Sequence, residues 1–171
     1  MRDPLERRPE TSREQSENCE VTSVQRLPLH RDLRGIVVEI LDPGELVRQR
    51  NVHLVLTEPG KIRGNHYHAT GVEVIALIGP ALASIREGGQ TKEFRVSPGE
   101  VLRFVIPPGI PHAFKNTGQD VAVLVAFNSV PHDPAHPDTI PFVLMEEDDG
   151  SVRQGEDSTG GEDAGDQGVI P

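Results

Sequence analysis

Apolar and polar positions alternate with a period of two over most of residues 21–145. Successive strand side chains point to opposite faces, so this pattern predicts half-buried β-strands. It places strands over residues 21–27, 35–41, 51–58, 62–68, 72–78, 81–86, 91–96, 101–106, 112–116 and 121–128. Turn-forming groups separate them: Asp42-Pro43-Gly44, Glu58-Pro59-Gly60, Gly79-Pro80, Glu87-Gly88-Gly89, Ser97-Pro98-Gly99, Pro107-Pro108-Gly109 and Thr117-Gly118. Residues 44–50 fit either a short helix or irregular chain. Many short strands at near-regular spacing predict an all-β sandwich or barrel.

The flanks break the pattern. Residues 1–20 alternate Arg and Glu with almost no apolar anchor, and residues 146–171 are rich in Gly, Asp and Glu. Both are expected to lack fixed structure. That leaves one domain over residues 21–145, and 171 residues suffice for one core but not two. Tryptophan is absent and aromatics make up only 4% of the chain, so the core must rest on Val, Ile and Leu.

The formal net charge of −10 lies mostly in the last segment, where nine acids face one Arg. The body is near neutral, and no basic stripe with interleaved aromatics marks a nucleic-acid partner. No apolar run approaches the roughly 20 residues of a spanning helix, and the charged start does not read as a secretory leader. Cys19 is the only cysteine, which excludes an intramolecular disulfide and fits a cytoplasmic location.

His66 and His68 sit two apart on a predicted strand, so both imidazoles share a face. Glu73 follows on the next strand, and His112 follows the turn at Pro107-Pro108-Gly109. Three His and one Glu suit one divalent metal, zinc before iron, nickel or manganese. Four protein ligands nearly fill a tetrahedral shell and favour a structural ion, unless its coordination expands to act as a Lewis acid.

The two stretches from Gly60 to Gly79 and from Gly99 to Asn116 resemble the two sequence motifs of the cupin superfamily. The resemblance implies a jelly-roll barrel with the metal at its axis. A narrower resemblance covers nearly all of the body. Asp32-Leu33-Arg34-Gly35 is similar to the opening of sugar-nucleotide cupins, which include 3,5-epimerases and 3,4-ketoisomerases of deoxythymidine-diphosphate 4-keto-6-deoxyhexoses. The stretch from Thr57 to His68 and the ending through Pro137-Asp138-Thr139 resemble the C-terminal cupin domain of bifunctional capsular polysaccharide biosynthesis enzymes. In those enzymes the cupin epimerises a UDP-linked 4-keto-6-deoxy amino sugar, and a fused dehydrogenase domain reduces the product.

The resemblance therefore implies an isomerase of the sugar-nucleotide 3-epimerase type, with a nucleotide sugar as its small-molecule partner. It also implies a homodimer, with the strand over residues 21–27 available for exchange or addition across it. The chain carries no dinucleotide-binding glycine motif, so it offers only the epimerase-like half. Metal-free 3,5-epimerases use a His/Asp dyad with a Tyr acid. Here the second His and the Glu point to the metal-binding branch, and Tyr67 lies at the wrong parity for that acid.

His53 and Lys61 are candidates for the catalytic base. Arg34 and Arg63 are candidates for the diphosphate, because a planar guanidinium makes paired bonds to phosphate. Strict alternation puts Arg63 on the opposite face from His66, and a bulge at Gly64 would bring the two together. His30, His132 and His136 read as loop histidines. The same donor set also marks metal-dependent cupin dioxygenases and related oxidoreductases. A non-catalytic sugar-binding cupin is the remaining alternative.

Overall fold

The protein is described by a computed structural model covering residues 21–147. The segments expected to lack fixed structure lie outside these residues, apart from Glu146 and Glu147. Among the described residues the strands are β1 (Ser23–Arg26), β2 (His30–Asp32), β3 (Gly35–Val37), β4 (Asn51–Thr57), β5 (Ile62–His68), β6 (Glu73–Ile78), β7 (Ala81–Glu87), β8 (Gln90–Val96), β9 (Val101–Ile106), β10 (His112–Asn116), β11 (Ala122–Asn128) and β12 (Thr139–Pro141). One short helix, α1 (Pro43–Leu46), precedes β4.

Two five-stranded antiparallel sheets form the body. The first runs β1-β9-β6-β11-β4 and the second β12-β5-β10-β7-β8, while β2 and β3 pair as a separate hairpin. From β4 onward the chain passes back and forth between the sheets, which produces the expected jelly roll. The alternation along β6 shows how the layers are held. Ile75 and Leu77 face the second sheet, in one core with Ala83, Ile85, Phe104, Phe114 and Leu124. Ala76 faces outward, where Leu27, Leu29, Val38, Ile40 and Val101 cover it. Strand β6 is thus buried on both sides, and its unbroken apolar run Val74–Leu77 is what a central strand requires.

Residues 38–41 do not continue β3 as the alternation predicts. Val38 and Ile40 pack against Ala76 and Val101 instead of pairing with a strand, so tertiary burial uses the same apolar spacing without a ladder. Helix α1 is set by a capping box: Asp42 accepts from the Glu45 amide at 2.8 Å, and Glu45 accepts from the Asp42 amide at 3.1 Å. The other oxygen of Glu45 pairs with Arg103, a buried residue on the outer face of β9. That pair fastens the helix over the first sheet. Strand β1 pairs with β9 of its own chain, Ser23 opposite Val105, so the N-terminal strand already has a partner here.

Candidate metal centre

Strand β5 lies between β10 and β12 and carries an extra residue. His66 stands opposite His112, yet Gly64 stands opposite the very next residue, Ala113. Asn65 is the surplus position, and the chain passes through it with φ of 88° at Gly64 and 54° at Asn65. Glycine is needed at 64, because a Cβ there would lie 2.7 Å from the His112 carbonyl oxygen. Asparagine tolerates the left-handed region, and here it is pinned. Its Oδ1 accepts from the amides of Leu144 at 2.8 Å and Met145 at 3.1 Å, and its Nδ2 donates to the Met145 carbonyl at 2.9 Å. The bulge resets the face. Arg63 pairs with Phe114, whose side chain is in the core, so Arg63 and His66 line the same cavity.

The four predicted ligands converge. The nearest donor atoms of His66, His68, Glu73 and His112 all lie within 4.8 Å of one another. Oε2 of Glu73 is 3.3 Å from Nε2 of His68 and 3.1 Å from Nε2 of His112. His112 donates from Nδ1 to the Ile110 carbonyl at 3.0 Å, so the Pro-rich turn leaves its Nε2 as the free electron pair. The His66 ring packs edge-on against His68 and His112, with centroids 5.2 and 4.8 Å away.

Burial and charge tune the group. Burial, helped by His112, pushes His66 down to about 4 and keeps it neutral. Burial alone would lower His68 too, but the carboxylates of Glu73 and Asp138 outweigh it and raise the imidazole. Burial alone would raise Glu73, but the His112 and His68 imidazoles hold it at about 2. Nε2 of His68 and Oε2 of Glu73 are buried and face each other at 3.3 Å, with no hydrogen-bond partner outside the cluster. Buried polar atoms ordinarily have partners. Three imidazoles and a carboxylate aimed at one point, the facing atoms of His68 and Glu73 satisfied by nothing beyond the cluster, fit a divalent cation.

The centre lies at the bottom of a cavity of about 470 Å³. Val55, Ile75, Leu124 and Ala126 form apolar walls, while Asn51, His53, Arg63, His132 and Asp133 supply polar groups. His53 projects inward from β4, within 3.0 Å of Asn51 Nδ2 and edge-on to His132 at 5.9 Å. Lys61 does not line the cavity; it bonds to Glu147 at 2.7 Å on the surface. Arg34 does not line it either, and pairs with Asp32 at 2.6 Å in the exposed hairpin. Several lining residues were missed as contributors, His132 and Asp138 among them. His132 read as an ordinary loop histidine, and Asp138 was noted only within the Pro137-Asp138-Thr139 ending. Loop residues carry no periodicity that would place them at a barrel mouth.

A family model described as the polysaccharide biosynthesis C-terminal domain matches residues 30–140. Comparison with curated protein sequences finds no match. Among solved structures, the capsular polysaccharide assembling protein CapF from Staphylococcus aureus is 27% identical at a TM-score of 0.50. The likeness covers 68% of this chain but 32% of CapF, so this chain spans about a third of that protein. ChmJ from Streptomyces bikiniensis, a 3'-monoepimerase solved with dTDP-quinovose, has a TM-score of 0.59 at 20% identity, covering 70% of this chain and 68% of its own. A dTDP sugar isomerase from Desulfovibrio desulfuricans G20 also reaches 0.59, at 17% identity, with 76% and 87% covered. The last two likenesses establish the shared fold. Among the described residues no helix is long and apolar enough to cross a membrane.

Proposed function

The chain belongs to the polysaccharide biosynthesis C-terminal domain family, and on that premise we propose that it isomerises a nucleotide-linked 4-keto-6-deoxy sugar at C3. The observation that carries this reading is the bulge at Gly64 and Asn65, which brings Arg63 to the cavity that ends at His66, His68, Glu73 and His112. One cavity then holds a cation-binding floor, a guanidinium suited to a diphosphate and an imidazole base. That combination suits an anionic sugar nucleotide better than an apolar substrate.

The chemistry follows from the groups present. The C4 ketone acidifies the proton on C3. His53 takes that proton, the C3–H bond breaks, and its electron pair moves into an enolate on the C4 oxygen. A proton supplied by water on the opposite face inverts the centre, and His53 then releases its proton to water. His66, His68, Glu73 and His112 would hold one divalent ion, zinc by donor set. When bound, the ion supplies Lewis acidity for a developing enolate oxygen. Arg63 binds the diphosphate at the mouth, and the apolar walls pack against the sugar ring. Of the two base candidates, the geometry favours His53, since Lys61 is held by Glu147 away from the cavity.

We extend the proposal to a homodimer. On the outer face of the first sheet, Val52, Leu54 and Leu56 of β4 stand opposite Phe127, Val125 and Val123 of β11. The three β4 side chains are more than half exposed. Residues 27–40 cover the β6 half of that face but leave this half open. No charge lies among the six, so a second copy meets it without like-charge repulsion.

Incubation in deuterated water with a panel of UDP- and dTDP-linked 4-keto sugars, followed by mass measurement, tests the reaction. One deuteron gained at C3 is expected. Oxygen uptake with iron and no exchange would replace this reading with the dioxygenase one. Binding without exchange would leave a non-catalytic sugar-binding cupin.

A further inference from the structure

The first half of the loop joining His68 to Glu73 is held from outside the two motifs by one carboxylate, and Ser129 holds Val72 at its end. Asp138, just before β12, accepts through Oδ1 from the Thr70 amide at 3.0 Å and the Thr70 hydroxyl at 2.8 Å. Its Oδ2 accepts from the Gly71 amide at 3.0 Å and lies 3.3 Å from Nδ1 of His68. The Ala69 amide also donates to the Asp138 carbonyl at 2.8 Å. The carboxylate can come this close because residue 71 has no side chain. A Cβ on Gly71 would meet Oδ2 of Asp138 at 2.9 Å and would also overlap Asn128.

We propose that Asp138 is a positioning residue for the metal ligand His68, fixing its Nδ1 as the protonated nitrogen so that Nε2 faces the ion. The inference rests on reading the four converging residues as a metal site. An imidazole with Nδ1 protonated keeps its Nε2 electron pair for a cation, and Nε2 is the atom that faces Glu73. A carboxylate beside the other nitrogen sets that tautomer and the ring orientation, as outer partners of metal-bound histidines commonly do. Asn128 makes the opposite demand, because its Nδ2, a donor, also lies 3.3 Å from Nδ1. Its Oδ1 accepts from the Val130 amide at 3.0 Å, which fixes the amide orientation. Asp138 stands at ion-pair distance rather than in an aligned hydrogen bond, and its full negative charge beside Nδ1 favours the proton there over the neutral Asn128 donor. His112 is set the same way by a different group, the Ile110 carbonyl. Two ligands on facing strands thus have their free nitrogens chosen by separate partners.

Two measurements on the full chain test this. In the zinc-loaded wild type, long-range ¹H–¹⁵N correlation should show His68 protonated at Nδ1 and ligated through Nε2. Ligation through Nδ1 would overturn the inference, and this result depends on no variant. Zinc affinity, read by chelator competition, should fall about 10–100-fold in Asp138→Asn, while the metal-free melting temperature falls only by the loss of one backbone-amide acceptor in the loop. Unchanged affinity in a folded Asp138→Asn would reduce Asp138 to a loop fastening and overturn its role toward His68. A wild type that binds no zinc would remove the metal site, and this inference with it. That outcome is distinct from a site that binds zinc regardless of Asp138.

Discussion

Oε2 of Glu73 lies 3.1 Å from Nε2 of His112, and the contact joins the two sheets at the floor of the cavity, since β6 belongs to the first and β10 to the second. Both side chains are buried. We expect one divalent ion per chain, measured by elemental analysis on protein purified without a His-tag. The double variant His66→Ala with His112→Ala should lose it. Metal content unchanged by that pair would remove the site.

The metal-free protein should be sensitive to acid. His66 folds with a value near 4, below its unfolded 6.5. The unfolded chain therefore binds more protons between those values, and stability falls as pH drops from about 6.5 to 4. Glu73 is depressed from 4.5 to about 2, so its contribution is present above 4.5 and lost as pH falls toward 2. His68 works the other way: its raised value gives a contribution present below 6.5 and lost as pH rises through its folded value. Melting temperature against pH after chelation should peak near neutrality, and His66→Asn should flatten the limb between 6.5 and 4. An unchanged limb in that variant would show that another group causes the acid loss.

The bulge makes a local prediction. Gly64→Ala puts a side chain at a φ of 88° and within 2.7 Å of a carbonyl oxygen. Such strain costs on the order of 1–3 kcal/mol. The backbone displaced is that of His112, so metal affinity should fall together with stability. Gly60→Ala, also at positive φ but with open space around its Cβ, should lower stability and leave the metal bound. Equal metal affinity in both variants would show that the bulge does not position the ligands.

Much of this fold was legible because β5, β9 and β10 have the residue ranges that alternation predicts. The convergence of His66, His68, Glu73 and His112 was legible because strand parity and turn spacing together fix their faces. Two strands were not. His30-Arg31-Asp32 is polar throughout and fully on the surface, so no apolar alternation marks it. Thr139-Ile140-Pro141 is a short exposed edge strand ending in proline, a residue that argues against a strand except at an edge. Arg63 shows how geometry can override parity: alternation alone would turn it away, and only the backbone at Gly64 and Asn65 decides otherwise. Asn116, counted with the second motif, turned out to be structural. It is buried, donates to the carbonyls of Thr57 and Asp120, and accepts from the Gly118 amide.

The open outer face predicts association. Leu54→Glu places a charge at the centre of the β4–β11 patch, opposite Val125, on a side chain that is 67% exposed. The folded monomer should tolerate it, because the residue contributes nothing to the inner core. Analytical ultracentrifugation should give a dimer for wild type and a monomer for the variant, with metal content unaltered. A monomeric wild type at high micromolar concentration would remove the proposed interface.

The last prediction separates binding from chemistry within the cavity. Arg63 lines the cavity and is assigned to the diphosphate, a part of the substrate that does not react. Removing it should weaken ground state and transition state alike, so Arg63→Ala should raise KM with little change in kcat. Loss of one charge-assisted phosphate contact, about 1.5–3 kcal/mol, corresponds to roughly 10–150-fold in KM. His53 is assigned to the C3 proton, which moves only in the chemical step. His53→Ala should therefore lower kcat by about 10²–10⁴-fold and leave KM nearly unchanged. Lys61→Ala serves as the control, because its ammonium is engaged by Glu147 outside the cavity, and its exchange rate should match wild type. The readout is the initial rate of deuterium entry at C3 as a function of nucleotide-sugar concentration. If His53→Ala exchanges at the wild-type rate while Lys61→Ala does not, the base is Lys61 and the assignment reverses. If both exchange normally, the proton is taken by a group nearer the cavity floor.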